Sequence, residues 1–197
     1  MVSLDNIHVI GSIYMSIHGG YKPRPDAFIS YFKEKGLKPE RIFFIGNRLI
    51  DMKLANAIKN ELKCKIFKCL IIRDSKSLAS RYDDKTVHNL SQVRDEIDKF
   101  QPDLVMSDFD NTLVYTGYNA VEQAIEKTRF WEKYGGNKVL RALYLVFSQL
   151  GILIKKRPYQ SKYDDTVAFL KTLKAPLLIH TVGSEILVKR LLKGLRV

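Results

Sequence analysis

Cysteine is scarce. The 197-residue chain has two, Cys64 and Cys69, both within one apolar run. Two thiols so placed cannot staple a disulfide scaffold, and they predict a reducing, cytoplasmic setting. Long hydrophobic stretches are missing as well: no run reaches the roughly 18 uninterrupted apolar residues of a membrane span. The apolar start from Ile7 to Ile17 follows Asp5 without a basic flank, so a signal peptide is not expected there. The Gly19-Gly20 pair lacks the spacing of a phosphate-binding P-loop. His8, His18, His88 and His180 lack metal-ligand spacing, so zinc is not expected, although His18 and His180, beside Lys22 and Thr181, are expected near a shared site. No repeat period, zinc-finger spacing or aromatic-basic RNA motif occurs.

Positive charge is what the chain has in excess, +12 from 33 basic and 21 acidic residues. It is unevenly placed: residues 31–72 sum to +6 and 153–197 to +7, whereas 73–112 sum to −3. Such a surface attracts phosphates, on nucleic acid or on a small metabolite; a Lys-rich solvated surface is the plainer reading. With 46% apolar and 27% charged residues the composition is that of a soluble globular protein. The length suits one domain, or one domain carrying an insertion.

Short apolar runs alternate with helical patterns. Strands are expected at Asn6–Ile10, Arg41–Ile45, Lys65–Ile72, Asp103–Ser107 and 176–180, and helices at Arg24–Lys35, Asp51–Leu62, Ser91–Phe100, 164–174 and 184–195. A Gly-rich loop is expected after the first strand, and residues 73–90 read as polar and irregular. Two further helical patterns, at about 119–134 and 137–154, have no strand of their own and read as an insertion. Alternating strands and helices predict an α/β fold, a doubly wound and mostly parallel sheet, with ligands beyond the carboxyl ends of its strands.

The residues just after the strands carry the chemistry. Asp108 and Asp110, in DFDNT, leave a buried strand side by side, which is costly unless a cation and a phosphate ester lie between them. Thr181 follows the strand PLLIH, Lys22 precedes a helix, and GNRLID puts Asn47 and Asp51 four residues apart. These segments resemble the four motifs of the haloacid dehalogenase superfamily in its phosphatase branch: DFDNTL motif I, LLIHT motif II, YKPRP motif III and GNRLIDMKLAN motif IV. Motifs III and IV here precede I and II. Joining Val197 to Met1 restores the family order, so the chain reads as a circular permutant; a dimer exchanging halves is the rival account.

By that resemblance Asp108 is the nucleophile, Asp110 the general acid and base, Thr181 a holder of phosphoryl oxygens and Lys22 a charge offset. Mg²⁺ is the implied cofactor, with Asp108, Asp110 through its carbonyl, Asp51 and Asn47 as metal ligands. Asn47 stands where the family has an acid, which implies weaker metal affinity. Residues 1–113 and 160–197 are expected to form the core, and 114–159 a helical cap in which Tyr115, Tyr118 and Trp131 are candidate pocket residues. The implied activity is Mg²⁺-dependent hydrolysis of a small soluble phosphate monoester. The alternative is a non-catalytic phosphate- or nucleic-acid-binding regulatory protein of the same fold. A homodimer through the helix 138–154 is a further expectation, and a membrane partner is not expected.

Overall fold

A computed structural model describes residues 6–19, 21–72, 82–114, 165–181 and 185–194, together with Asn137, Val139, Leu140 and Leu143. In chain order the elements are β1 (Ile7–Ile10), α1 (Ser12–Ile17), α2 (Asp26–Lys35), β2 (Arg41–Gly46), α3 (Leu49–Leu62), β3 (Lys65–Ile71), β4 (Lys85–Val87), α4 (Leu90–Phe100), β5 (Leu104–Asp108), α5 (Asp165–Thr172), β6 (Leu177–His180) and α6 (Glu185–Gly194). The strands form one sheet in the order β1-β6-β5-β2-β3-β4, parallel at every pairing. The chain is therefore an α/β protein, as the alternation of patterns predicted.

A parallel sheet covered on both faces needs strands apolar at successive positions. β2 supplies this: Ile42 and Phe44 enter one core layer, Phe43 and Ile45 the other. β5 is buried along its whole length. The first layer is closed by α1, α2 and α3 through Met15, Phe28, Phe32, Met52 and Ile58. The second is closed by α4, α5 and α6 through Val93, Ile97, Phe169, Leu170 and Val188. The division follows from direction. Connections β1→β2 and β2→β3 run one way across the sheet, β4→β5 and β5→β6 the other, and right-handed crossovers put the two sets on opposite faces. The last two strands fill the gap left between β1 and β2, so β5 sits inside the sheet with β6 and β2 at its sides. Cys64 and Cys69 are buried free thiols, and among the described residues no helix is long and apolar enough to cross a membrane.

Three local expectations are corrected. The Gly-rich loop after β1 contains α1, whose Ser12 and Met15 are buried three residues apart while Gly11 is its extended N-cap; six residues are too few for a helical period to show. The polar stretch 73–90 contains β4, whose ladder with Cys69–Ile71 and buried Val87 supply what its composition does not. Helix α3 begins at Leu49 rather than Asp51, so Asp51 lies inside its first turn. The expected helices at 119–134 and 137–154, the pocket residues Tyr115, Tyr118 and Trp131, and most of the segment 114–159 lie outside the described residues. Within that segment, Asn137 Oδ1 accepts from the N–H groups of Val139 (3.0 Å) and Leu140 (3.2 Å), an N-cap where the second helical pattern begins.

Candidate active site

The site is assembled at the carboxyl end of β5. Asp108 is the last residue of that strand, and the chain then turns tightly: Leu113 and Val114 donate their N–H groups back to the Phe109 carbonyl, and Asn111 takes a left-handed φ of 58°. Phe109, Leu113 and Val114 are buried in the core layer of α4–α6. With Phe109 anchored there, the alternation of an extended chain sends Asp108 and Asp110 the other way.

Lys22 arrives from the loop before α2. Tyr21, 1% exposed, pins that loop: the Ser16 hydroxyl lies 2.7 Å from the Tyr21 hydroxyl, which donates to the Ser12 carbonyl at 3.4 Å. The Lys22 ammonium then bridges two carboxylates, donating to Asp108 Oδ1 and to Asp51 Oδ1, each at 2.6 Å. Asp51 is held from its other side. Its Oδ2 accepts from the backbone N–H groups of Asn47 (3.1 Å) and Arg48 (3.0 Å), closing the start of α3 as a capping carboxylate at the positive end of the helix. Gly46 permits this: a Cβ there would lie 2.4 Å from Asp51 Cβ.

The remaining candidates fall in the same place. Thr181, directly after β6, donates its hydroxyl to Asp110 Oδ2 at 2.7 Å, and its own N–H is held by the Ile10 carbonyl of β1. Asn47 is 4% exposed beside the Asp51 carboxylate. The structure thus brings Asp108, Lys22 and Asp51 into direct contact, pairs Asp110 with Thr181, and sets Asn47 just before the N-cap of α3. Two contacts to Asp108 were not assigned from sequence. Thr112 donates to its Oδ2 at 3.2 Å, and His180 Nδ1 lies 3.5 Å from its Oδ1. Thr112 is readable as the residue one tight turn beyond Asp108, and His180 as the residue sharing a strand face with Leu178. His18 turns elsewhere, stacking on Tyr14 and facing Glu34 at 3.6 Å.

Electrostatics here are those of charges gathered out of water. Burial pushes Asp108 up to about 7; Lys22 opposes that shift, and the nearby Asp51 and Asp110 add to it. For Lys22, burial works against the ammonium, but Asp108 and Asp51 outweigh it and hold the group above the usual lysine range. Burial also pushes His180 well below the usual histidine value, so its ring is neutral near pH 7. Three carboxylates against one bridging ammonium leave an excess of negative charge that suits a hard cation. Among the described residues no three His, Cys, Asp or Glu side chains are grouped to hold a metal alone. An ion bound here would draw on one or two carboxylates, amide and carbonyl oxygens, water and a phosphate, a donor set that fits Mg²⁺ better than zinc. Comparison with known proteins returns no matching family model, no matching curated protein and no matching solved structure.

Proposed function

We propose that the protein is a Mg²⁺-dependent phosphatase of the haloacid dehalogenase type, acting on a small phosphate monoester. The observation that carries this reading is the meeting of Asp108, Lys22 and Asp51 through one ammonium, with Asp110 on Thr181 two residues beyond the nucleophile. Residues from four separate segments converge there, at the strand ends of a parallel sheet where ligands of such folds sit.

An Asp108 carboxylate oxygen attacks phosphorus in line, the bond to the leaving oxygen breaks, and Asp110 gives that oxygen its proton. Water then attacks the aspartyl-phosphate, Asp110 takes up its proton, and the bond between phosphorus and Asp108 breaks to free phosphate. Thr181 orients Asp110 at rest and presents its hydroxyl to the phosphoryl oxygens, while Lys22 offsets charge between nucleophile and phosphate. Asp108, the Asp110 carbonyl, Asp51 and Asn47 would hold Mg²⁺, which supplies charge neutralisation of the transferring group.

Circular permutation and a cap at 114–159 belong to the same proposal. The pairing of β1 with β6 supports permutation, as does α6, which packs on β1 from the face a right-handed β6→β1 crossover would use. Asn47 favours a second reading, a phosphate-binding protein without turnover, because an amide brings no charge to the metal.

The test is phosphate release from p-nitrophenyl phosphate with and without Mg²⁺. Release that needs Mg²⁺, stops with EDTA and falls by about 10³ or more in Asp108→Asn is expected, since removing a nucleophile removes most of the rate enhancement. Equal turnover by Asp108→Asn would reject Asp108 as nucleophile. Phosphate binding without release would select the second reading.

A further inference from the structure

Among the described residues, His180 is a strand-end group that the proposed mechanism leaves without a task. It closes β6, directly opposite Asp108 in the parallel ladder. Its ring is wholly buried between Phe28, edge-on at 5.4 Å, and Phe44, tilted at 5.5 Å. Neither ring nitrogen has a hydrogen-bond partner among the described residues. A leucine or phenylalanine would fill the same space without burying two unbonded polar atoms. Nδ1 nevertheless lies 3.5 Å from Asp108 Oδ1, the oxygen that Lys22 holds at 2.6 Å, just outside hydrogen-bonding contact.

At that separation a bare nitrogen lone pair facing a carboxylate oxygen is repulsive, whereas an N–H facing it is attractive. Asp108 Oδ2 is already fixed by Thr112. Oδ1 depends on Lys22, the group with a flexible stem that the reaction calls toward phosphate. When Lys22 turns, Oδ1 loses its anchor and the carboxylate plane is free to rotate unless another donor takes over.

We propose that His180 is a positioning residue for Asp108, carrying its proton on Nδ1 and taking over Oδ1 as Lys22 turns to the transferring phosphoryl group. The inference rests on the phosphatase reading for its effect on rate, but its tautomer is independent of turnover. No proton is transferred; a neutral N–H is exchanged for an ammonium on one oxygen, and the attacking carboxylate keeps its plane.

Two measurements on the full-length protein test it. Long-range ¹H–¹⁵N correlation spectra of the wild-type protein report which ring nitrogen is protonated. A proton on Nδ1 is expected, and an Nε2–H ring with bare Nδ1 overturns the proposal whether or not the protein hydrolyses anything. In p-nitrophenyl phosphate hydrolysis, His180→Leu keeps the apolar fill and loses the donor. Its kcat should fall by roughly 10- to 100-fold with KM within about twofold, the pattern of an interaction needed in the transition state. His180→Asn, whose amide N–H reaches near the Nδ1 position, should recover about tenfold of that loss. A folded His180→Leu protein with wild-type kcat overturns the proposal, as does equal loss in the leucine and asparagine variants. Should His180→Leu fail to fold, the tautomer and the His180→Asn rate decide. A wild-type protein that releases no phosphate refutes the enzyme reading itself, and the tautomer still stands or falls alone.

Discussion

Lys22 and Asn47 set the charge balance of the strand-end cluster from opposite directions. Lys22 supplies a bridging cation between Asp108 and Asp51; Asn47 supplies an amide, 4% exposed, at a position where a carboxylate would deepen the negative excess. Ligand charge count tunes the affinity of hard-cation sites, so on the proposed phosphatase reading Asn47→Asp should tighten Mg²⁺ binding. The half-saturating Mg²⁺ concentration for phosphate release should fall about tenfold, equivalent to about 1.4 kcal/mol. An unchanged titration curve would place Asn47 outside the metal's reach. At this scale the sequence was informative about position, where a side chain's location follows from its place beside a strand end: Asp108, Asp110, Thr181, Lys22 and Asp51 all meet at one end of the sheet. The contacts of Thr112 and His180 with Asp108 depend on the turn after β5 and on which face of β6 looks toward α1–α3, and no single residue type announces either.

The first turn of α3 is where an element and the site become one object. Asp51 caps the helix through the N–H groups of Asn47 and Arg48 and meets Lys22 with its other oxygen. That geometry requires Gly46 to lack a side chain, because a Cβ there would stand 2.4 Å from Asp51 Cβ and 2.8 Å from its carboxyl carbon. Gly36 is a useful contrast. It ends α2 at φ 65° with nothing within 4 Å of an added Cβ, so its substitution is strained by backbone conformation alone. Gly36→Ala should cost about 1 kcal/mol in urea unfolding and leave phosphate release unchanged. Gly46→Ala should cost about 1–3 kcal/mol as an overpacked contact and also lower activity by displacing Asp51. Equal activity in the two variants would show that Asp51 is not placed by Gly46. Longer elements were legible because their patterns extend over several periods, as in α3 and β2. Helix α1 and strand β4 were not, since six residues with two buried positions and three residues borrowing a ladder carry their signal in tertiary contacts.

At the scale of the whole molecule, the order of segments in the chain and their order in the sheet obey different constraints. β1 and β6 are far apart in sequence yet hydrogen-bonded neighbours, and Lys22 meets Asp108 within the same chain. Helix α6 covers β1 on the face shared with α4 and α5, where a connection continuing from β6 to β1 would run. If the fold is indifferent to where this circle is opened, a chain reading 82–197, a short Gly/Ser linker, then 1–81 should fold to the same sheet. The opening belongs before Tyr82 rather than within Lys85–Val87, because Val87 is 2% exposed and its strand completes the ladder on β3. The linker replaces a loop-closure cost that grows only slowly with length, so stability should stay within about 1–2 kcal/mol of the natural order. On the proposed phosphatase reading such a chain should release phosphate with Mg²⁺ as the natural order does, and it should sediment as a monomer. A rearranged chain that is active only as a dimer would instead show that β1 and Lys22 complete the site of a second copy, with the pairing of β1 to β6 formed between molecules.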